Sequence, residues 1–208
     1  MDLEPIRQSL RENLDAKYEA RERALTLCRK TIRLSANSIR AIHRGDSQEG
    51  ERLLSEARLL LDEAAAFMVR HPDVRHAGFY HDASKEYAEA RLTHAMVFGH
   101  ALPTPQQIGV EAPAYLNGLA EAVGEMRRHL LDLMRRSELD KSEYLLAVMD
   151  EIYYLLITMD YPDAMTGGLR RSTDVARSII ERTRGDLSTT IIQQNLMSAL
   201  KQAKPDPA

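Results

Sequence analysis

Tryptophan is absent from this 208-residue chain, cysteine occurs once, and glycine and proline number only 10 and 8. Aromatic residues are also few, eight Tyr and three Phe. The single cysteine, Cys28, excludes an internal disulfide and a multi-cysteine zinc site, and fits a reducing cytoplasmic compartment. Sparse glycine and proline argue against a glycine-rich phosphate loop and against turn-rich all-β architectures. The amino terminus reads Met-Asp-Leu-Glu-Pro, acidic and without the apolar core of a secretory signal. No stretch approaches the roughly 20 apolar residues of a membrane helix, so no membrane association is expected. Basic residues number 28 against 31 acidic, a formal net charge of -3. A field of that sign does not draw in phosphate, so any nucleic-acid binding must arise from local charge.

What is present is helical periodicity. From Pro5 to Arg44 the apolar residues Ile6, Leu10, Leu14, Tyr18, Leu25, Cys28, Ile32, Ile39 and Ile42 step by threes, fours and sevens, one stripe on a long helix that Gly45 ends. A second helix carries Leu53 to Met68 and stops near His71-Pro72, because the residue before proline avoids α geometry. A third runs from about Val74 or Phe79 to Gly99, and Ala101–Pro113, with three prolines, reads as a loop with one short turn. Further helices are expected over Ala114–Arg136 and Lys141–Asp160, with Tyr161-Pro162-Asp163 as a break. A sixth spans Leu169–Arg184, with Gly185 in the left-handed position beyond its end. Ser188 then caps a last helix to about Lys201, and 203–208 is a flexible tail. The expectation is an all-α bundle of about six to seven helices forming one domain over 1–208.

Charge is segregated along these helices. Between Arg21 and Arg44 stand seven basic residues and one acid, Glu22. Arg29, Arg33, Arg40 and Arg44 fall within about 60° of one another around the helix. A second basic cluster comprises Arg170, Arg171, Arg177, Arg182 and Arg184, whereas Glu138–Asp163 carries seven acids and one lysine. Such ridges read either as solvated faces that pair between helices or subunits, or as phosphate tracks in which each arginine displaces condensed counterions. With few aromatics for base stacking, binding would rest on the backbone rather than on the bases.

Two pairs of glutamates stand one turn apart, Glu86 with Glu89 on the third helix and Glu121 with Glu125 on the fourth. Like charges at this spacing destabilise an exposed helix by about 0.2–0.5 kcal/mol. Gly118 and Gly124 each cost the fourth helix about 1 kcal/mol relative to alanine. Close helix approach or a bound ion would compensate. Four carboxylates on two facing helices make a hard-oxygen site suited to Mg²⁺ or Mn²⁺, and chance pairing of glutamates on helical faces is the alternative. A di-iron bundle needs Glu-x-x-His on two helices. None of His43, His71, His76, His81, His94, His100 and His129 has a glutamate three residues before it. The histidines read as surface or interface residues.

Three runs in the carboxyl-terminal part, Asp160-Tyr161-Pro162-Asp163-Ala164, Gly167 to Ser178 and Glu181 to Leu187, resemble the signature of prokaryotic translin-family proteins. Tyr115-Leu116-x-Gly118 followed by Gly124-Glu125 is similar to the family's central helix, and Glu86-Tyr87-Ala88-Glu89-Ala90 to the Glu-Tyr-Val-Glu-Ala run of translin-associated factor X. The resemblance spans about Arg21 to Lys201. It implies an all-helical subunit that assembles into a closed homo-oligomer, usually an octamer, and binds single-stranded RNA or DNA. The factor X branch further implies Mg²⁺- or Mn²⁺-dependent RNA cleavage, its acids falling on Glu86, Glu89, Glu121 and Glu125. At Glu121 the family enzyme has Asp. In that reading Glu89 and Glu125 hold the metal, Glu86 and Glu121 complete coordination or orient water, and Arg29, Arg33, Arg40 and Arg44 guide the phosphate chain. The competing expectations are a translin-like nucleic-acid-binding oligomer without catalysis and a purely structural helical oligomer.

Overall fold

In the computed structural model, which describes residues 2–203, nine helices and no strand are found among the described residues. They are α1 (Glu4–His43), α2 (Ser47–Met68), α3 (Pro72–Arg75), α4 (Phe79–Val97), α5 (Pro105–Ile108), α6 (Ala112–Arg135), α7 (Leu139–Ile157), α8 (Asp163–Thr166) and α9 (Leu169–Ala203). Six are long and three are single turns, so the all-α expectation holds. No helix among the described residues is long and apolar enough to cross a membrane. The tail expected at 203–208 lies outside the described residues beyond Ala203. The chain divides into two compact units, Met1–Gly118 and Leu119–Ala208, with the boundary inside α6, a single unbroken helix.

The first unit is organised by α1, α2 and α4. Gly45 takes a positive φ of 81° and turns the chain, and the Asp46 carboxylate accepts the Glu49 N–H at 3.0 Å to start α2. Gly50 lets α2 approach α1: a Cβ there would stand 3.2 Å from Ile42 Cγ1, and the Ser38 hydroxyl donates to the Gly50 carbonyl at 2.9 Å. Ala24, Cys28, Thr31, Ile42, Leu54, Leu61 and Met68 are buried between these helices. The stripe of α1 continues beyond this core. Ile6, Leu10, Leu14 and Tyr18 share its period but stay 57–65% exposed. Tertiary packing within the chain uses only the second half of the stripe.

Between α4 and α6, Thr104 and Gln107 form a capping box around α5. Arg58 of α2 donates to the carbonyls of Ile108 and Gly109 at 2.8 and 2.7 Å, fixing the loop that delivers α6. In the second unit, Arg127 of α6 donates to Asp186 at 2.7 Å and to Thr183 at 3.0 Å on α9, and Arg184 pairs with Asp150 of α7 at 2.6 Å.

One boundary differs from expectation. Gly185 does not terminate a helix and Ser188 does not cap a new one; α9 runs unbroken through both to Ala203. Buried Ala176, Ile180, Thr183 and Leu187 keep one face in register across the glycine, and the Arg127–Asp186 pair holds the next residue. Packing outweighs the about 1 kcal/mol helical penalty of glycine.

Candidate metal centre

Close approach of α4 and α6 positions the acids. A Cβ on Gly118 would lie 2.8 Å from the Lys85 carbonyl oxygen, 2.9 Å from the Ala88 Cβ and 2.9 Å from the Glu89 nitrogen. Only glycine permits that contact, and this accounts for its place inside a helix. Gly124 is different: its nearest neighbour would be Ile179 Cδ1 at 3.8 Å, an ordinary van der Waals distance.

The backbone of α4 beside Gly118 carries Glu86 and Glu89, and Glu121 follows three residues later on α6. Carboxylate oxygens of Glu86, Glu89 and Glu121 all lie within 4.8 Å of one another, and the three residues are half-buried. Glu125, one turn further along α6 and also half-buried, is not among these three. Lys85 brings its ammonium to 3.6 Å from Glu86. The donor set is all oxygen, without His or Cys, and fits a hard divalent cation. The extra methylene of Glu121 relative to aspartate does not keep its carboxylate out of the cluster.

The arginines expected to form a ridge are all exposed, Arg29, Arg33 and Arg40 on α1 and Arg44 at its carboxyl-terminal cap. Arg40 donates to the Asn37 side chain at 2.7 Å. Among the described residues none of the four makes an ion pair with a carboxylate. Arg21 and Arg23, earlier on the helix, are paired with Glu22 and Glu19.

One histidine departs from the surface role expected of it. His94 of α4 is 5% exposed. Its Nε2 lies 3.1 Å from the Ser47 hydroxyl and 3.3 Å from the Ser47 carbonyl, and its ring stacks on His100 at 5.8 Å. Burial pushes its pKa below the usual value, against the opposing effects of the ring's hydrogen bond to the Ser47 carbonyl and the charge of Glu51. It borders a cavity of about 750 Å³ with Arg91 and Arg52. The short apolar neighbours Ala90 and Ala95 were the sequence signal that this stretch of α4 is enclosed.

No protein-family model matches the chain. It is 30% identical over 193 residues to the uncharacterized protein MJ0175 of Methanocaldococcus jannaschii, covering 90% of this chain and 84% of that protein. Among solved structures it is similar to AfC3PO, with 34% identity, a TM-score of 0.79, and coverage of 93% of this chain and 98% of that one. AfC3PO in complex with duplex RNA matches at the same identity and coverage with a TM-score of 0.76. Apo-NeC3PO shares the fold at 17% identity and a TM-score of 0.74, over 91% of this chain and 97% of that chain. The identity over nearly full length and the helical order place the chain in the translin/TRAX (C3PO) family.

Proposed function

We propose that this protein is a metal-dependent nucleic-acid-processing enzyme of the translin/TRAX type, an endoribonuclease hydrolysing phosphodiester bonds of single-stranded RNA with Mg²⁺ or Mn²⁺. The observation that carries the reading is the meeting of Glu86, Glu89 and Glu121 within 4.8 Å. Three half-buried carboxylates repel one another, and a divalent cation removes that cost. An ion held there would lower the pKa of a bound water and neutralise charge developing on the phosphate. The chain's own contribution is placement. Gly118 holds the two helices together, Glu86 and Glu89 come from one face of α4, and Glu121 enters from α6. Glu125 extends the carboxylate row by about 6 Å along α6, a further position from which to hold the ion or orient water. Lys85, 3.6 Å from Glu86, moderates the local negative charge.

In this reading the exposed ridge of Arg29, Arg33, Arg40 and Arg44 guides the RNA through its phosphates. Single-stranded DNA is a second ligand. The chain acts as a homo-oligomer, an octamer by resemblance to the family. Support for assembly comes from Ile6, Leu10, Leu14 and Tyr18 on α1 and Ile192, Leu196 and Leu200 on α9, apolar rows left exposed in the subunit. Reading 1–208 as one translin-like domain rests on the continuity of α6, and cytoplasmic residence on the single buried thiol, Cys28.

The test is cleavage of labelled single-stranded RNA with Mg²⁺, Mn²⁺ or EDTA. A duplex arm is included because AfC3PO has been seen with duplex RNA. The expected result is metal-dependent cleavage that Glu89→Gln with Glu121→Gln lowers by about a hundredfold or more. Equal rates for wild type and this double variant would remove the proposed centre.

A further inference from the structure

The five arginines between Arg170 and Arg184 on α9 separate into two sets once their partners are known. Arg170, Arg177 and Arg184, spaced by seven, are each compensated: by Asp160 at 4.0 Å, by Glu181 at 3.0 Å and by Asp150 at 2.6 Å. Arg171 and Arg182 are eleven residues apart, which places them within about 20° of each other on the helix and about 16.5 Å apart along it. Both are exposed, and among the described residues neither pairs with a carboxylate. They stand at the two ends of a groove of about 440 Å³ whose other lining residues are Asp174, Val175, Ser178 and Ile179. Two cations, one acid and one hydroxyl leave this groove net positive.

The groove also has a defined neighbour within its own unit. Ile179 reaches toward Gly124 of α6, 3.8 Å from where a Cβ would be. Gly124 lies between Glu121 and Glu125 on that helix. The uncompensated side of α9 therefore runs beside the turn of α6 that carries the two acids.

We propose that Arg171, Ser178 and Arg182 form a second phosphodiester-binding surface, which holds the nucleic-acid strand alongside the acids of α6. The inference rests on the nucleic-acid reading above and adds to it a site separate from the α1 ridge. A span of about 16.5 Å accommodates about five nucleotides at the roughly 3.4 Å rise of a stacked strand. Guanidinium groups and a hydroxyl recognise phosphate oxygens without reading bases. Val175, 53% exposed between them, offers an apolar rest for sugar or base edges. The surface binds by backbone and discriminates little between sequences.

The experiment uses the full-length protein and a fluorescein-labelled oligouridylate in EDTA, so that nothing is cleaved, with anisotropy followed across a salt series. Arg171→Ala with Arg182→Ala should weaken binding about tenfold and reduce the slope of log K against log salt by about 1.4, two phosphates at about 0.7 each. Arg171→Lys with Arg182→Lys should keep most of the slope, since counterion release follows charge. The compensated pair, Arg170→Ala with Arg177→Ala, should change it little. All four positions are exposed, and thermal melting verifies that each variant is folded. If Arg171→Ala with Arg182→Ala keeps the wild-type slope while Arg33→Ala with Arg40→Ala loses part of it, the second surface is wrong and the nucleic-acid reading stands. An equal loss in the Arg170/Arg177 variant overturns the groove in favour of a diffuse basic field. Absence of salt-dependent binding by the wild type overturns both.

Discussion

Gly118 of α6 sits so close to Lys85 of α4 that any side chain at the glycine would begin 2.8 Å from the lysine's carbonyl oxygen. Overpacking of this kind costs about 1–3 kcal/mol, more than the about 1 kcal/mol that alanine gains in helix propensity. Gly118→Ala should therefore lower the melting temperature and, by pushing α6 away, depress RNA cleavage further than stability alone explains. Gly124→Ala, with its nearest contact at 3.8 Å, should be neutral or stabilising. Thermal melts and cleavage rates of the two variants side by side check this. Equal behaviour would mean that the close approach does not position the acids.

Metal binding is open to measurement without any substrate. Ligands that bind only the folded state stabilise it by RT ln(1 + [L]/Kd), about 2.7 kcal/mol at a hundred times Kd. Mn²⁺ should raise the melting temperature of the wild type, and EDTA should reverse it. Glu86→Gln and Glu121→Gln should each shrink that rise, measured from each variant's own metal-free melting temperature. An unchanged Mn²⁺ shift in Glu121→Gln would separate this carboxylate from the ion. The same titration on Glu125→Gln determines whether the row extends to the next turn.

Gly185 is exposed inside α9, and nothing lies within 4 Å of where its Cβ would be. Gly185→Ala should stabilise the protein by up to about 1 kcal/mol. A raised denaturation midpoint at unchanged slope would confirm a continuous helix in solution. A loss of stability would indicate that the glycine breaks it after all.

Stability should also depend on His94. Its folded-state pKa lies below the usual 6.5 because burial disfavours the cation. As pH falls through 6.5 toward that lowered value, the unfolded chain takes up the proton before the folded chain does. The contribution of neutral His94 is therefore complete above pH 6.5 and declines below it. Denaturant midpoints between pH 7.5 and 5.5 should fall more steeply for wild type than for His94→Gln. Parallel curves would show that this imidazole does not titrate differently in the two states.

Much of this was legible in the residues. Five of the six long helices follow from apolar spacing, α9 reads as two segments parted at Gly185, and the three single turns sit where proline interrupts the pattern. The carboxylate pairs at Glu86–Glu89 and Glu121–Glu125 are visible as one-turn spacings. Sequence could not choose which acids meet, because helical periodicity defines a face but not the height at which two helices cross. It also could not separate Gly118 from Gly124, since both carry the same local penalty. Contact with the Lys85–Glu89 backbone distinguishes the first.

Local chemistry by itself determined that this chain is helical, which faces are apolar, and that acids and bases lie in separate stripes, because these properties depend on neighbours a few residues away. Tertiary structure decided the rest. It carried α9 through Gly185, because the buried face on either side outweighs one flexible residue. It brought Glu121 to Glu86 and Glu89, because two backbones touch at Gly118. It also brought Asp150 of α7 to Arg184 and Asp160 to Arg170, while among the described residues Arg171 and Arg182 meet no carboxylate, because pairing beyond one helical turn depends on which segment lies opposite.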